Sequence, residues 1–249
     1  MVMRKLENKI GETFTTTSGL TVEIIEFNSI RDCSLRFEDG TILRHREYRD
    51  LKRGNLKNPN QISVCGVGYI GEELPINFDI LSRRSIYLLW KNILYRCYDK
   101  RSWTHHPTYQ ECSVVKEWFN FQNFAKWVIE NYKTGYELDK DILVRNNKIY
   151  GPDTCCFVPM EINTALPNHK STRGKYPLGV TKCNNYFLSK ISRNGKATSL
   201  STFNTIEKAF NCYKTAKEIQ LKELANKFKT QITNEVCQAL LNYEVKITD

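Results

Sequence analysis

A chain of 249 residues, 41% apolar and 12% aromatic, holds material for one large or two to three small domains with packed cores, which excludes a disordered chain. It contains no run of eighteen apolar residues, which excludes a helical membrane span, and its opening "MVMRKLENKIGETF" lacks the apolar stretch of a secretory signal. The net charge of +10 is uneven: residues 170–230 carry thirteen Lys and Arg against three Glu, while the remainder holds twenty-four of each sign, and so lopsided a segment points to a polyanionic partner over a merely solvated surface.

In chain order, residues 10–59 read as a small all-β module. Short alternating runs (Val22–Phe27, Cys33–Phe37, Thr41–His45) are separated by turn signals at Ser18-Gly19 and Asp39-Gly40. Strands this short and closely spaced predict a small SH3-like β-barrel over 1–60. Its Arg44, Arg46, Arg49, Lys52 and Arg53 are candidate phosphate contacts, balanced by neighbouring acids. "GVGYIGEELPINFD" then contains a literal G-x-G-x-x-G, but no clear strand precedes it and Pro75 interrupts any helix behind it. A dinucleotide site therefore fails on context, and 61–84 reads as a linker.

Two amphipathic helices follow. In "SIYLLWKNILYRCYDK", Ile86, Leu89, Trp90, Ile93, Leu94 and Cys97 recur at helical spacing. In "VVKEWFNFQNFAKWVIENY", Trp118, Phe121, Phe124, Ala125 and Val128 share a face, flanked by Trp127. Such aromatic stripes are core material before they are ligand boxes. The intervening loop holds His105 and His106, open to a catalytic or metal reading, although Pro107 marks an exposed turn. Downstream, "ELDKDILV" alternates like a strand, "NNKIYGPD" is a turn-rich loop, "CCFVP" is a second strand and "MEINTAL" opens a helix.

From Tyr176, the strands Tyr176–Cys183 and Tyr186–Ser192 meet at Asn184-Asn185, and Asn194-Gly195 is a type I′ hairpin signal before Ala197–Phe203. Asn204 is the expected cap of the following helix, with Glu207 three residues on. Ile206, Ala209, Phe210, Tyr213, Ala216, Leu224 and Phe228 form its apolar face. Phe187, Ser189 and Ile191 should face that helix, leaving Lys190 on the opposite side of the sheet. Val236, Leu240 and Tyr243 make a final helical stripe, expected to pack back on the module, with homodimerisation through it as the alternative. The fold class is thus α+β and multi-module, with divisions at 1–60, 61–84, 85–168, 172–230 and 231–249. Nine cysteines, an odd number without a C-x-x-C pair, indicate reduced thiols and a cytoplasmic location, while adjacent Cys155 and Cys156 would point to opposite faces of a strand and make a poor metal clip.

Two family resemblances rest on these residues. The strand–loop–strand–helix order over 87–166, with Leu138, Asp139, Lys140, then Tyr150, Gly151, Pro152, Asp153, Thr154, Cys155 and finally Asn163, resembles the ββα core of phage-type HNH endonucleases. The resemblance implies a divalent metal, magnesium or manganese, held by Asp139 and Asn163, with Lys140 at the position of the water-activating histidine and Thr154 at that of its orienting asparagine. Both are departures, since a lysine beside metal and phosphate is normally protonated. Asp141, two residues beyond Asp139, is the remaining candidate ligand or base, and no histidine lies in 137–168. The alternative is that Asp139, Asn147, Asp153 and Asn163 are turn and capping residues of the unit.

The C-terminal pattern of Gly179, Val180, Phe187, Ile191, Asn194, Gly195, Lys196, Leu200, Phe203, Glu207, Ala209, Tyr213 and Ala216 is similar to the APETALA/ERF-type DNA-binding domain, whose sheet enters the major groove. The resemblance implies DNA contacts from Arg173, Lys175, Lys182, Lys190, Arg193 and Lys196, although that family's arginines are here partly replaced by Lys and by Leu188. Together the two point to a double-stranded DNA-binding protein with the organisation of a phage homing endonuclease, its cleavage weakened or lost, serving as a regulator or interference factor in a bacterial host cytoplasm. The alternatives are an active metal-dependent nicking or cutting endonuclease using Asp139, Asp141 and Asn163, and an RNA binder or protein decoy.

Overall fold

A computed structural model of the chain describes residues 8–166, 175–193 and 195–249, in a mixed α+β arrangement of several small sheets and helices. The chain divides into two compact units, one reaching to Leu74 and including Asn120–Gln122, the other comprising Pro75–Phe119 and Asn123–Asp249.

In the first unit, strands β1 (Thr13–Thr15), β2 (Thr21–Ser29), β3 (Asp32–Phe37) and β4 (Ile42–Arg46) form an antiparallel meander in that order, followed by helix α1 (Tyr48–Lys52). The Asp39-Gly40 turn forms because Gly40 adopts a φ of 86° and the Asp39 carboxylate accepts from the Thr41 N–H at 3.0 Å. Val22, Ile24, Cys33, Leu35, Phe37, Leu51 and Leu56 make its core. The expected barrel does not close, because β1 and β4 remain edges. The chain after β4 becomes a helix where a further strand would have to stand, and Tyr48 secures it by donating to Glu12 at 2.6 Å. Residues 61–74, expected as linker, cluster with this unit. A β-carbon at Gly71, which has a φ of 76°, would lie 2.1 Å from the Asn120 Oδ1, so the glycine there serves close packing.

In the second unit, α2 (Arg83–Tyr98) starts where Ser82 accepts from the Ser85 N–H, and it buries Ile86, Trp90, Ile93, Leu94 and Cys97. Short helix α3 (Lys100–Trp103) and strand β5 (Ser113–Val114) follow, and then α4 (Phe121–Asn131). The Trp90 indole donates to the Trp118 carbonyl at 2.6 Å, Trp118 leans at a tilt on Trp127, and Trp127 stacks on Phe157, with ring centroids 4.8 and 5.4 Å apart. This aromatic column is core, and it seats the next two strands. β6 (Tyr136–Asp139) pairs antiparallel with β8 (Cys156–Pro159), β7 (Ile149–Tyr150) pairs with β5, and α5 (Met160–Ala165) completes a strand–loop–strand–helix unit.

The last part of the second unit is a three-stranded antiparallel sheet, β9 (Val180–Cys183), β10 (Tyr186–Arg193) and β11 (Lys196–Phe203), ordered β11-β10-β9, on which α6 (Ile206–Lys227) packs. The first strand is shorter than expected because Gly179 takes a φ of 71°. A β-carbon there would lie 2.1 Å from the Tyr213 ring, so this glycine is what lets the α6 tyrosine lie against the backbone. Ser189 and Ile191 are buried and Phe187 half-buried beneath α6, the phase that strand alternation requires. Thr205, not Asn204, caps α6, its hydroxyl accepting from the Lys208 N–H at 3.3 Å. Asn194 lies outside the described residues, and the Gly195 beside it has the φ of 74° that such a hairpin needs.

Helix α7 (Asn234–Leu241) buries Val236, Cys237 and Leu240 in a core with Val158 and Ile162 of the strand–loop–strand–helix unit and Leu221, Leu224 and Ala225 of α6. The stripe considered for homodimerisation is thereby covered within the chain itself.

Candidate nucleic-acid interface and the Asp139 pocket

Asp139, Lys140, Asp141 and Asn163 come together around a cavity of about 380 Å³, together with Arg96, Tyr109 and Arg145. The local chemistry, however, assigns the first three to the loop. Asp139 is 7% exposed, and its Oδ1 accepts from the N–H groups of Asp141 and Ile142 at 2.7 and 2.8 Å. Those two bonds end β6 at Asp139 and turn the chain, so Asp141 does not continue the strand face as its spacing suggested. The true same-face neighbour of Asp139 on β6 is Glu137, which accepts from the Asn163 amide. Glu137 was visible as an i, i+2 carboxylate pair with Asp139. Burial pushes the Asp139 carboxyl above the usual carboxylate range, against the two N–H bonds that favour its ionised form.

Lys140 is not poised as a base. Its ammonium donates to both Asp141 oxygens at 2.7 and 2.8 Å and to the Asn147 carbonyl at 2.8 Å, which uses all three protons and leaves no lone pair. Asn147, which sequence spacing marked only as a turn residue, returns two amide bonds to the carbonyls of Lys140 and Ile149 at 2.9 and 2.6 Å. Thr154 likewise holds the turn, donating to the Ile149 carbonyl at 2.7 Å, and orients no base. His105 and His106 are exposed, and neither lines the cavity.

These residues suit a divalent cation poorly. Magnesium or manganese asks for an octahedron of oxygens, usually with one or two free carboxylates. Here one Asp139 oxygen is committed to the backbone, Asp141 is neutralised by Lys140, and Asn163 is held through its Nδ2 by Glu137, leaving only its neutral Oδ1 to offer. Among the described residues no three or more His, Cys, Asp or Glu side chains gather as a metal set. The thiols beside the loop are equally unsuited, burial pushing Cys155 up to about 11 and Cys97 up to about 12.

The sheet of the C-terminal part offers a different surface. Opposite α6, the register sets Thr181, Leu188 and Thr202 in one row across the three strands, with Lys190 and Ser199 in the next. Lys190 is exposed on this open face. Lys182 and Lys196 lie in rows shared with Phe187 and Arg193 on the helix side, at strand ends where they are exposed, so they are rim residues. Arg193 turns toward α6 and pairs with Glu223 at 2.8 Å. Lys175 is exposed, and Arg173 lies outside the described residues. Among the described residues, Lys175, Lys182, Lys190 and Lys196 enter no ion pair.

The cationic surplus is divided, contrary to the expectation of a single platform. Lys208, Lys214, Lys217, Lys222 and Lys227 stand on α6, behind the sheet. Lys214 is spent on Glu218 and Glu244, and Lys227 on Glu161. Lys217 is 6% exposed, donates to the Gln220 Oε1 at 3.0 Å, and is pulled down to about 8 by burial and then by Arg193. In the first unit, Arg44 and Arg49 are likewise paired with Glu26 and Glu47. Lys208, Lys222 and Lys229 are exposed and enter no ion pair among the described residues, so unpaired cations remain both on the sheet with its rim and on or just after α6. No family model matches the chain, nor does a curated protein or a solved structure.

Proposed function

We propose that the chain binds double-stranded DNA through the open face of β9–β11, and that the strand–loop–strand–helix unit is a nuclease-like scaffold whose cleavage is weakened or lost. The observation that carries the reading is the uncovered sheet face with exposed Lys190 upon it, Lys182 and Lys196 at its rim and Lys175 on the chain leading into β9, four cations that enter no ion pair among the described residues. Such cations gain by replacing the counterions condensed on a duplex, whereas paired lysines gain little. The resemblance to the APETALA/ERF-type domain and to HNH endonucleases of phage supports the same reading, as does the commitment of Asp139 and Lys140 to the loop. Under this reading the protein acts by occupancy, as a regulator or interference factor in a host cytoplasm.

A second reading, a magnesium- or manganese-dependent nicking endonuclease, is favoured by one fact: Asp139, Asp141 and Asn163 line a single cavity. One assay separates the two. Supercoiled plasmid is incubated with the protein and either metal, then resolved on a gel. Retardation without nicked circles supports the binder; nicked circles that disappear with Asp139→Asn establish the enzyme.

A further inference from the structure

We infer that the open face of the sheet reads thymine methyl groups, so that the duplex it prefers is T-rich. This rests on the DNA-binding reading above and names the substrate class of that surface. The residues that β10 turns away from α6 are Tyr186, at its outer end opposite Cys183, then Leu188, Lys190 and Ser192. Their cross-strand partners on the same face are Thr181, Thr202, Ser199 and Ala197. A bulge between Ser189 and Lys190 makes Leu200 the extra residue, so that Leu200 and Ser199 together oppose Lys190, and Leu200 is 36% exposed. The face therefore presents Thr181, Leu188, Thr202, Leu200 and Ala197 as a patch of methyl groups with one cation in its midst. It carries no arginine and no Asn or Gln in its central rows, so it lacks the amide partner of adenine, and Lys190 is the single long cation there that could meet a guanine edge.

The dimensions agree with a groove. Three strands about 4.8 Å apart span about 10 Å, and the major groove is about 12 Å wide. In that groove only thymine shows a methyl group, and the apolar side chains that recognise it are those gathered here. Lys182 and Lys196 at the rim fall where phosphates would flank the groove, so charge fixes the face against the duplex while apolar contact discriminates. The deep, narrow groove of A-form RNA does not admit such a sheet.

The test titrates the full chain into a short labelled T-rich duplex, the same duplex with every thymine replaced by uracil, and the corresponding duplex RNA. Uracil removes only the methyl group and keeps the hydrogen-bonding edge. Each methyl withdrawn from water is worth about fourfold in affinity, so the uracil duplex should bind at least about tenfold more weakly once several contacts are lost. Replacing cytosine by 5-methylcytosine in a G·C-rich duplex should restore part of the difference. Leu188→Asn should erase the preference for thymine over uracil while keeping the salt dependence, and the double variant Thr181→Ser/Thr202→Ser, which removes methyls without new bulk, should reduce it in the same direction. Equal affinity for thymine and uracil duplexes overturns the inference while DNA binding stands, and equally tight duplex RNA overturns it too. Failure to bind any duplex overturns the DNA reading itself, and this inference with it.

Discussion

Replacing Asp139 by alanine and by asparagine should give opposite results, because its work is done by an oxygen and not by a charge. In the native chain its Oδ1 accepts from the N–H groups of Asp141 and Ile142 at 2.7 and 2.8 Å, in a pocket that leaves the residue 7% exposed. Alanine strands both donors, one of them buried; at about 1–2 kcal/mol for each donor left unpaired, the loss is about 2–4 kcal/mol. Asparagine presents an amide oxygen to the same donors and carries no charge to desolvate, so its stability should stay within about 1 kcal/mol of the parent. The sign with pH follows from burial. The folded carboxyl is raised above its ordinary value of 3.8, so the folded state holds the proton more tightly. This group's contribution is fully present below that value and is lost as pH rises through the raised one. The asparagine variant therefore gains on the parent only above that window. Urea unfolding followed by circular dichroism at neutral and acid pH measures all three proteins. If asparagine destabilises as much as alanine, the charge itself is needed and the loop-capping account of Asp139 is refuted.

Gly179→Ala should destabilise by roughly 2–4 kcal/mol, since it combines a positive φ with a clash against the Tyr213 ring, and a thermal melt unchanged from the parent would contradict that packing. Lys217→Met should stabilise by about 2 kcal/mol at neutral pH, about 3 for the buried ammonium less about 1 for the bond to Gln220. Because the folded lysine loses its proton near 8 and the unfolded one near 10.5, parent stability rises between those values and the variant's gain should shrink there; a gain constant with pH would argue against a buried charge. Native-state alkylation should modify exposed Cys183 well ahead of Cys33, Cys97, Cys155 and Cys156, which are buried with thiols pushed up by desolvation, and simultaneous labelling of all would signal an open structure.

The parts of the fold governed by local periodicity were legible in the chain. The alternation of Phe187, Ser189 and Ile191 set the sheet's phase against α6, and the stripe of Trp90, Ile93, Leu94 and Cys97 set the buried face of α2. What escaped depends on competition or on distance. The run after Leu138 alternates like a strand, but the Asp139 carboxylate captures two N–H groups and wins against the ladder. Thr205 and Asn204 are both good caps, and spacing alone could not choose between adjacent candidates. The Arg193–Glu223 pair and the shared core of α5, α6 and α7 join residues far apart in the chain, where no short-range pattern speaks. The division of lysines between the sheet and α6 follows from the helix being as lysine-rich as the strands, a fact that a charge count over residues 170–230 conceals.

The most direct measurement of the central claim is the affinity of the full chain for duplex DNA as a function of salt, beside the variant Lys182→Glu/Lys190→Glu/Lys196→Glu. Four lysines replacing condensed counterions predict a slope of about −4 in log K against log salt, with binding abolished in the triple variant. A flat salt profile, or a triple variant that binds as tightly as the parent, would contradict the account.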